Sequence, residues 1–206
     1  MAIISNGTTI ADAGSFASGL VNADSVLIKE LTASSSANLT FVHGTSSVVL
    51  DGTYPIYVFK YINIHPASIA QFTVNFRDGG SSYDATKTTT ALNPYHNEDG
   101  DGGIDYRTAW DLAQSTSAQI LAQELGNGND ESASGEMYLF NPASTTFVKH
   151  FMGDTHYYQN FGKTGTFGIH YSGYCNTTAA IDGVQFAMSS GNIDSGTIKL
   201  YGIKDS

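Results

Sequence analysis

The sequence predicts an all-β protein: an antiparallel two-sheet β-sandwich of jelly-roll type with an extended N-terminal arm. Its 206 residues include 12 Tyr and 11 Phe with only 14% charged residues, and aromatic residues favour strands. About ten to twelve short segments alternate apolar and polar residues, with turn sequences rich in Gly, Asn, Asp and Ser between them, a pattern typical of a sandwich. This length suits one such unit. We therefore expect one domain over 25–206, preceded by an arm over 1–24.

Residues 1–24 are mostly small and polar and show no sustained apolar period. This predicts an arm that reaches a neighbouring subunit of an assembly, or equally an ill-ordered leader. The segment lacks the basic region and the apolar run of a secretory signal peptide. No stretch of the chain approaches 18 consecutive apolar residues, so we expect no membrane span.

The first half of the sandwich contains six segments with strand patterns, over 26–31, 39–42, 47–50, 56–64, 68–76 and 83–90. Segment 56–64, IYVFKYINI, is apolar on both faces except at Lys60, which predicts a central strand with the Lys60 stem reaching towards solvent. The Thr-rich segment 83–90 predicts an edge or solvent-facing strand.

The second half begins with an irregular region over 93–131, in which the pattern of 115–125 fits a helix or a strand. Strand patterns resume at 135–140, 145–152 and 166–174, with a loop expected near 154–163. The chain then shows two alternating segments, 184–188 and 197–203, separated by turn residues. We expect these two segments to form a closing hairpin whose last strand is held by ladder hydrogen bonds.

The net charge of −10 excludes some classes of partner. Nine Lys and Arg stand against nineteen Asp and Glu, so no basic patch is available to neutralise phosphates, and nucleic-acid binding is disfavoured. Attraction to anionic lipid is disfavoured for the same reason. The single cysteine, Cys175, excludes an internal disulfide and is expected to be a buried, inert thiol.

An acidic loop after residue 96 is the candidate metal site. Read as a twelve-residue calcium loop, it places Asn97, Asp99 and Asp101 at positions one, three and five, and Asp105 at nine. The bidentate glutamate at position twelve is missing, because Thr108 stands there. The loop is therefore either a calcium site or a solvated surface loop, and calcium titration of the melting temperature discriminates between the two.

Patterns for catalysis and for other cofactors are not found in the sequence. The six histidines lack zinc-ligand spacing, and there is no GxSxG nucleophile motif. The aspartates cluster in Gly-rich turns, where backbone geometry explains them. We therefore expect a non-enzyme with no catalytic residues and no cofactor other than the candidate calcium.

Aromatic residues are the remaining candidates for binding. Tyr157, Tyr158, Tyr171 and Trp110 form a hypothetical stacking platform for a sugar or a protein partner. Tyr is enriched at protein interfaces, because its rigid ring covers area while its hydroxyl stays hydrated. The alternative is an ordinary sandwich core with scattered surface tyrosines.

Three stretches carry a family resemblance: LTFVHGTSSVVLDGTYPIYVFKYINIHP from Leu39, NPASTTFVKHF from Asn141, and AIDGVQFAMSSGNIDSGTIKLYGIK from Ala180. They resemble virion structural and tail-fibre-type β-rich proteins of marine tailed bacteriophages, of the cyanophage and pelagiphage kind, over about 25–204. The resemblance implies a β-rich virion module and brings no catalytic or ligand residues. The two dozen residues before the first strand favour a compact subunit over a long fibre.

Three functions follow as hypotheses. The first is a non-enzymatic virion component, used in several copies as a capsid-decorating or tail-associated subunit that contacts other virion proteins and its own copies. The second is a host-surface glycan- or receptor-binding module of a tail fibre. The third, a hydrolase of envelope polysaccharide, rests only on the acidic residues. The expected location is the virion, assembled in the host cytoplasm.

Overall fold

The structure, a computed structural model, describes residues 3–5, 8–12, 15–16, 25–161 and 163–204, with side chains for 25–159 and 164–204. It confirms the predicted all-β sandwich, since the chain forms a four-stranded and an eight-stranded antiparallel sheet. The jelly-roll connection pattern stays a prediction. No helix among these residues is long and apolar enough to cross a membrane.

Fifteen strands and one 3₁₀ helix, at Thr108–Trp110, are described. The strands are β1 Ile3–Ser5, β2 Thr8–Asp12, β3 Ser15–Phe16, β4 Ser25–Thr32, β5 Asn38–Val42, β6 Ile56–Pro66, β7 Ala70–Arg77, β8 Lys87–Asn97, β9 Gly102–Tyr106, β10 Gln119–Leu125, β11 Ala133–Phe140, β12 Lys149–Phe161, β13 Lys163–Cys175, β14 Gly183–Met188 and β15 Ile193–Ile203.

The four-stranded sheet has the order β10-β7-β14-β5, and the eight-stranded sheet has the order β4-β15-β6-β11-β12-β13-β8-β9. A third, small sheet, β1-β2-β3, lies within the predicted arm. The rest of that arm, 1–24, lies outside the described residues, and its reach towards a neighbour stays a prediction.

The core fills the space between the two large sheets, as the alternation in the sequence predicts. In the four-stranded sheet, Phe72 and Val74 of β7 and Phe186 of β14 are fully buried. Phe59 and Leu200 of the eight-stranded sheet are buried from the other side. The Phe186 ring lies 5.9 Å from the Phe72 ring and 5.6 Å from the Phe59 ring, so it joins the two sheets.

The predicted closing hairpin is wrong. β14 pairs with β5 and β7 in the four-stranded sheet, whereas β15 pairs with β4 and β6 in the eight-stranded sheet. The turn residues between them therefore carry the chain from one sheet to the other. The ladder hydrogen bonds expected along the last strand are confirmed, since β15 has a partner on each side.

Strand β6 confirms the prediction of a central strand, because β15 and β11 flank it. Tyr57, Phe59 and Tyr61 face the core, whereas the opposite face is mixed: Val58 is buried, while Lys60 and Ile62 are exposed. No second layer covers the outer side of this sheet among the described residues. Lys60 reaches solvent there, as expected.

Two other expectations fail for local reasons. Segment 47–50 is a loop, and the residues at its start, Ser46 and Ser47, have positive φ values of 50° and 67°. The loop expected near 154–163 is instead the end of the long β12–β13 hairpin. The Thr-rich strand β8 lies between β13 and β9, but β9 pairs only with residues 92–96, and Thr90 is exposed, as the solvent-facing alternative predicts. Segment 115–125, whose pattern fits a helix or a strand, contains strand β10.

Candidate interaction surface

The acidic loop forms the tight turn between β8 and β9. The Asn97 N–H donates to the Asp101 carbonyl at 2.7 Å, and the Gly100 N–H donates to the Asn97 carbonyl at 3.1 Å. Gly100 has a φ of 91°, which the turn requires and glycine adopts without strain. The Asp99 carboxylate accepts the Asp101 N–H at 3.1 Å, so its position is explained by the turn itself.

The structure separates the four candidate calcium ligands. Asn97, Asp99 and Asp101 share the turn, whereas Asp105 lies on β9 and forms an ion pair of 2.8 Å with Arg107. The Asn97 side chain is buried, and its amide atoms have no hydrogen-bond partner. No group of three or more His, Cys, Asp or Glu placed to hold a metal is found in the described part of the chain. The calcium site stays a prediction.

The four candidate platform aromatics do not lie together on the surface. Tyr157 and Tyr171 are each only 3% exposed, and the Tyr157 ring packs at 5.9 Å from the Phe167 ring. Trp110 is half-buried against the core beneath the Arg107 guanidinium, 5.3 Å away. The platform hypothesis is wrong for Tyr157 and Tyr171, because the inward positions of β12 and β13 place both rings in the core. Tyr158 is partly exposed on β12.

One face of the molecule is broad and carries several exposed apolar side chains. We call the side of the eight-stranded sheet that faces away from the four-stranded sheet the outer face. Most of the exposed large apolar side chains lie on its strands: Leu27, Ile62, Leu92, Ile104, Tyr106 and Met152. A shallow groove of about 360 Å³ runs between Leu92, Met152, Asp154 and His170. We treat this face as the candidate interaction surface, because contiguous exposed apolar groups are typical of interaction sites.

A row of charged side chains crosses this outer face. Strand register places six such residues opposite one another on six neighbouring strands. We call this set the charged row; in spatial order it contains Glu30, Lys199, Lys60, Glu136, Asp154 and His170. The order of charge along it is minus, plus, plus, minus, minus, with the imidazole last.

Ion pairs join the residues of the charged row two by two. Lys199 Nζ lies 3.1 Å from a Glu30 carboxylate oxygen, and Lys60 Nζ lies 3.4 Å from a Glu136 oxygen. The third pair joins the imidazole of His170 to the carboxylate of Asp154. All three pairs are partly exposed, so each contributes only about 0–1 kcal/mol to folding.

Two pairs of neighbouring residues in the charged row carry like charges. Lys60 stands opposite Lys199, and Glu136 stands opposite Asp154. Like charges directly opposite each other on neighbouring strands destabilise the sheet. The row therefore contains two unfavourable pairs side by side, one positive and one negative.

A cluster of buried hydroxyl groups lies on the core side of the sheet, beneath Glu136 and Asp154. The Tyr61 hydroxyl lies 2.7 Å from Thr155 Oγ1 and 3.3 Å from the Tyr171 hydroxyl, and it donates to the Asp154 carbonyl at 3.1 Å. Burial raises the pKa of Tyr171 well above its ordinary value, so the cluster stays neutral. Gly153 leaves the space that the Tyr171 hydroxyl occupies, since a Cβ there would lie 2.3 Å from that oxygen.

Another row of opposed residues lies on the core side of the same sheet. It contains two buried lysines that the sequence pattern did not reveal. Lys149, Cys175 and Lys87 stand opposite one another on β12, β13 and β8, and all three are fully buried. Lys87 Nζ donates to Asn75 Oδ1 at 2.6 Å and to the Ala85 carbonyl at 2.7 Å. Burial lowers the pKa of Lys87 to about 8 and raises the pKa of Cys175 to about 12. The expected burial of Cys175 is confirmed.

A polar groove of about 610 Å³ lies at one end of the sandwich, and its central residues, His65 and Glu131, hold structural contacts. The imidazole of His65 contacts the Glu131 carbonyl at 2.7 Å, and the Glu131 carboxylate accepts the Gly128 N–H at 2.7 Å. These contacts hold the loop before β11. Asp130 and Asp194 also line the groove.

No protein-family model matches this chain, and no curated protein matches it. The class that the fold defines is an all-β sandwich with one broad sheet face exposed.

Proposed function

We propose that the chain is a non-enzymatic structural component of a tailed-phage virion, a capsid-decorating or tail-associated subunit that acts through protein–protein contacts. The observation that carries the proposal is the outer face. Its exposed apolar side chains, such as Ile62 at 42% and Met152 at 48%, lie beside the charged row. An apolar surface with ordered charges suits a specific protein partner.

The resemblance to virion proteins of marine tailed phages supports the virion part of the proposal. The similar stretches supply β5 and β6 from the first, the β11–β12 loop from the second, and β14 and β15 from the third. These strands belong to both large sheets, so the similar residues are those that build the fold. A structural protein depends on its fold and surface and needs no reactive group.

The proposal assigns no catalytic residue. The carboxylates of Asp182, Asp105 and Glu131 are held in structural contacts. Asp182 binds Arg77 at 2.8 Å, Asp105 binds Arg107 at 2.8 Å, and Glu131 accepts a backbone N–H. Two of the four aromatic residues in the glycan-binding alternative, Tyr157 and Tyr171, lie in the core. Tyr158 and the half-buried Trp110 are left.

Quantitative mass spectrometry of purified virions from the phage that encodes the chain tests the proposal. We expect the chain in every preparation, in many copies per particle and in a fixed ratio to the major capsid or tail protein. Its absence from particles that contain the other structural proteins would overturn the proposal. Specific glycan-array binding that Tyr158→Ala abolishes would favour the receptor-binding alternative instead.

A further inference from the structure

We propose that two copies of this chain stack face to face through their outer faces, about a twofold axis that runs parallel to the strands between β6 and β11. The inference does not depend on the virion role, because it concerns the isolated protein. It rests on the charge order of the charged row, on the like-charge pairs within it and on the apolar side chains beside it.

The charge order is self-complementary about that axis. A twofold axis between β6 and β11 places Lys60 opposite Glu136 of the second copy, and Lys199 opposite its Asp154. Glu30 at one end then faces the imidazole of His170 at the other end. Every charged position of the row thus meets the opposite charge or the imidazole, as an isologous interface requires.

The stacked arrangement relieves the two like-charge pairs. In one copy, Lys60 and Lys199 stand side by side on β6 and β15 without an acid between them. Glu136 and Asp154 stand side by side on β11 and β12. In the stacked pair, the lysines of each copy face the acids of the other. The repulsion within each copy is then offset by attraction across the interface.

A different twofold axis does not give this result. An axis in the same plane but perpendicular to the strands would place Lys60 opposite Lys60 and Glu136 opposite Glu136. Both contacts repel, so the charges select the first arrangement and exclude the second. Charges of this kind determine orientation and specificity more than affinity.

Apolar contacts alongside the charged row supply affinity. The next row contains Tyr201, Val58, Tyr138 and Met152 on β15, β6, β11 and β12. The same axis places Met152 opposite Tyr201 of the second copy and Val58 opposite its Tyr138. Met152, which is 48% exposed, gains from leaving water, whereas Val58 is only 3% exposed and adds little.

The size of the surface indicates a dimer of moderate affinity. Six strands spaced about 4.8 Å apart span roughly 24 Å, and six residues along a strand span about 20 Å. The footprint is therefore on the order of 500 Å² per copy and 1,000 Å² in total, at the lower limit for a stable interface. An interface of this size suits a dimer that dissociates on dilution.

A substitution that leaves the core untouched tests the surface. We expect Met152→Arg to raise the dimer dissociation constant at least tenfold in sedimentation equilibrium, because Met152 lies in the interface. Phe147→Arg is the matched control, since Phe147 is 70% exposed but lies in the β11–β12 loop. A wild-type chain that is monomeric at 200 μM would overturn the inference, as would equal effects of both variants.

Two charge-reversal variants test the charge contacts across the interface. The first is Lys60→Glu with Lys199→Glu, and the second is Glu136→Lys with Asp154→Lys. Each alone places like charges across the interface, so we expect each homodimer to weaken at least 30-fold. An equimolar mixture restores opposite charges at every one of these contacts, and we expect a heterodimer within about fivefold of wild-type affinity.

The control for the second variant is Glu98→Lys with Asp130→Lys, which makes the same change in charge at exposed positions away from the charged row. We expect it to dimerise like the wild type. Folded variants that form no heterodimer when mixed would refute the proposed axis. Virions that contain the chain together with a monomeric purified protein would refute the dimer and leave the virion proposal standing.

Discussion

Phe186→Ala is expected to cost the sandwich about 4 kcal/mol of unfolding free energy. The Phe186 ring is fully buried and packs against rings from both sheets, including Phe72 and Phe59. Removing about 150 Å² of buried ring surface at ~25 cal/mol/Å² gives about 4 kcal/mol. This value lies within the range of about 3–5 kcal/mol for Phe→Ala in cores.

Urea unfolding measures this cost, with far-UV circular dichroism and Trp110 fluorescence followed on the same samples. Coincident transitions establish two-state behaviour, and an unchanged m-value assigns the shift to the folded state. Phe147→Ala is the matched control, since Phe147 is 70% exposed, and we expect a change within ~0.5 kcal/mol. A cost below about 1 kcal/mol for Phe186→Ala, or equal costs for both variants, would refute the two-sheet core.

Three other predictions concern buried groups. Gly153→Ala should destabilise the fold by about 1–3 kcal/mol in thermal unfolding, because its Cβ would meet the Tyr171 hydroxyl; Gly52→Ala, with open space around it, should not. The folded pKa of Lys87 is lowered to about 8, so the unfolded chain binds more protons and stability rises from pH 8 to 10.5. In a Cys175→Ala background, Lys87→Met should remove a rise on the order of 1–3 kcal/mol, and equal pH slopes would contradict this. The Cys175 thiol should react with a disulfide reagent at pH 8 only after urea is added, since its pKa is about 12; rapid reaction of the folded protein would contradict its burial.

The faces of the strands were predictable where apolar residues alternate cleanly. Phe72 and Val74 on β7, and Phe186 on β14, are buried as the two-residue period requires. The same period does not reveal which strand pairs with which. Segments 184–188 and 197–203 each have one buried face, and neighbours in sequence often pair, yet they enter different sheets. Alternation identifies a buried face and leaves the partner undetermined.

The charged row on the outer face could not be predicted from the sequence, because strand pairing was undetermined. The charged row draws on six strands from distant parts of the chain, from Glu30 to Lys199, and only the register aligns them. In the sequence, Lys60 was visible only as one charged residue in an apolar strand. Tyr157 and Tyr171 misled because tyrosine suits surfaces as well as cores. In the core, the Tyr171 hydroxyl lies beside that of Tyr61.

Zero-length carbodiimide cross-linking of a mixture of ¹⁴N- and ¹⁵N-labelled protein tests the stacked outer faces most directly. Within one chain, Lys199 and Asp154 are three strands apart, about 14 Å, which is too far for a direct amide bond. Across the proposed twofold axis they face each other. We expect a Lys199–Asp154 cross-link that joins light and heavy chains, and Met152→Arg should reduce it. Cross-links confined to the neighbouring pairs Lys60–Glu136 and Lys199–Glu30 within single chains would contradict the stacked arrangement.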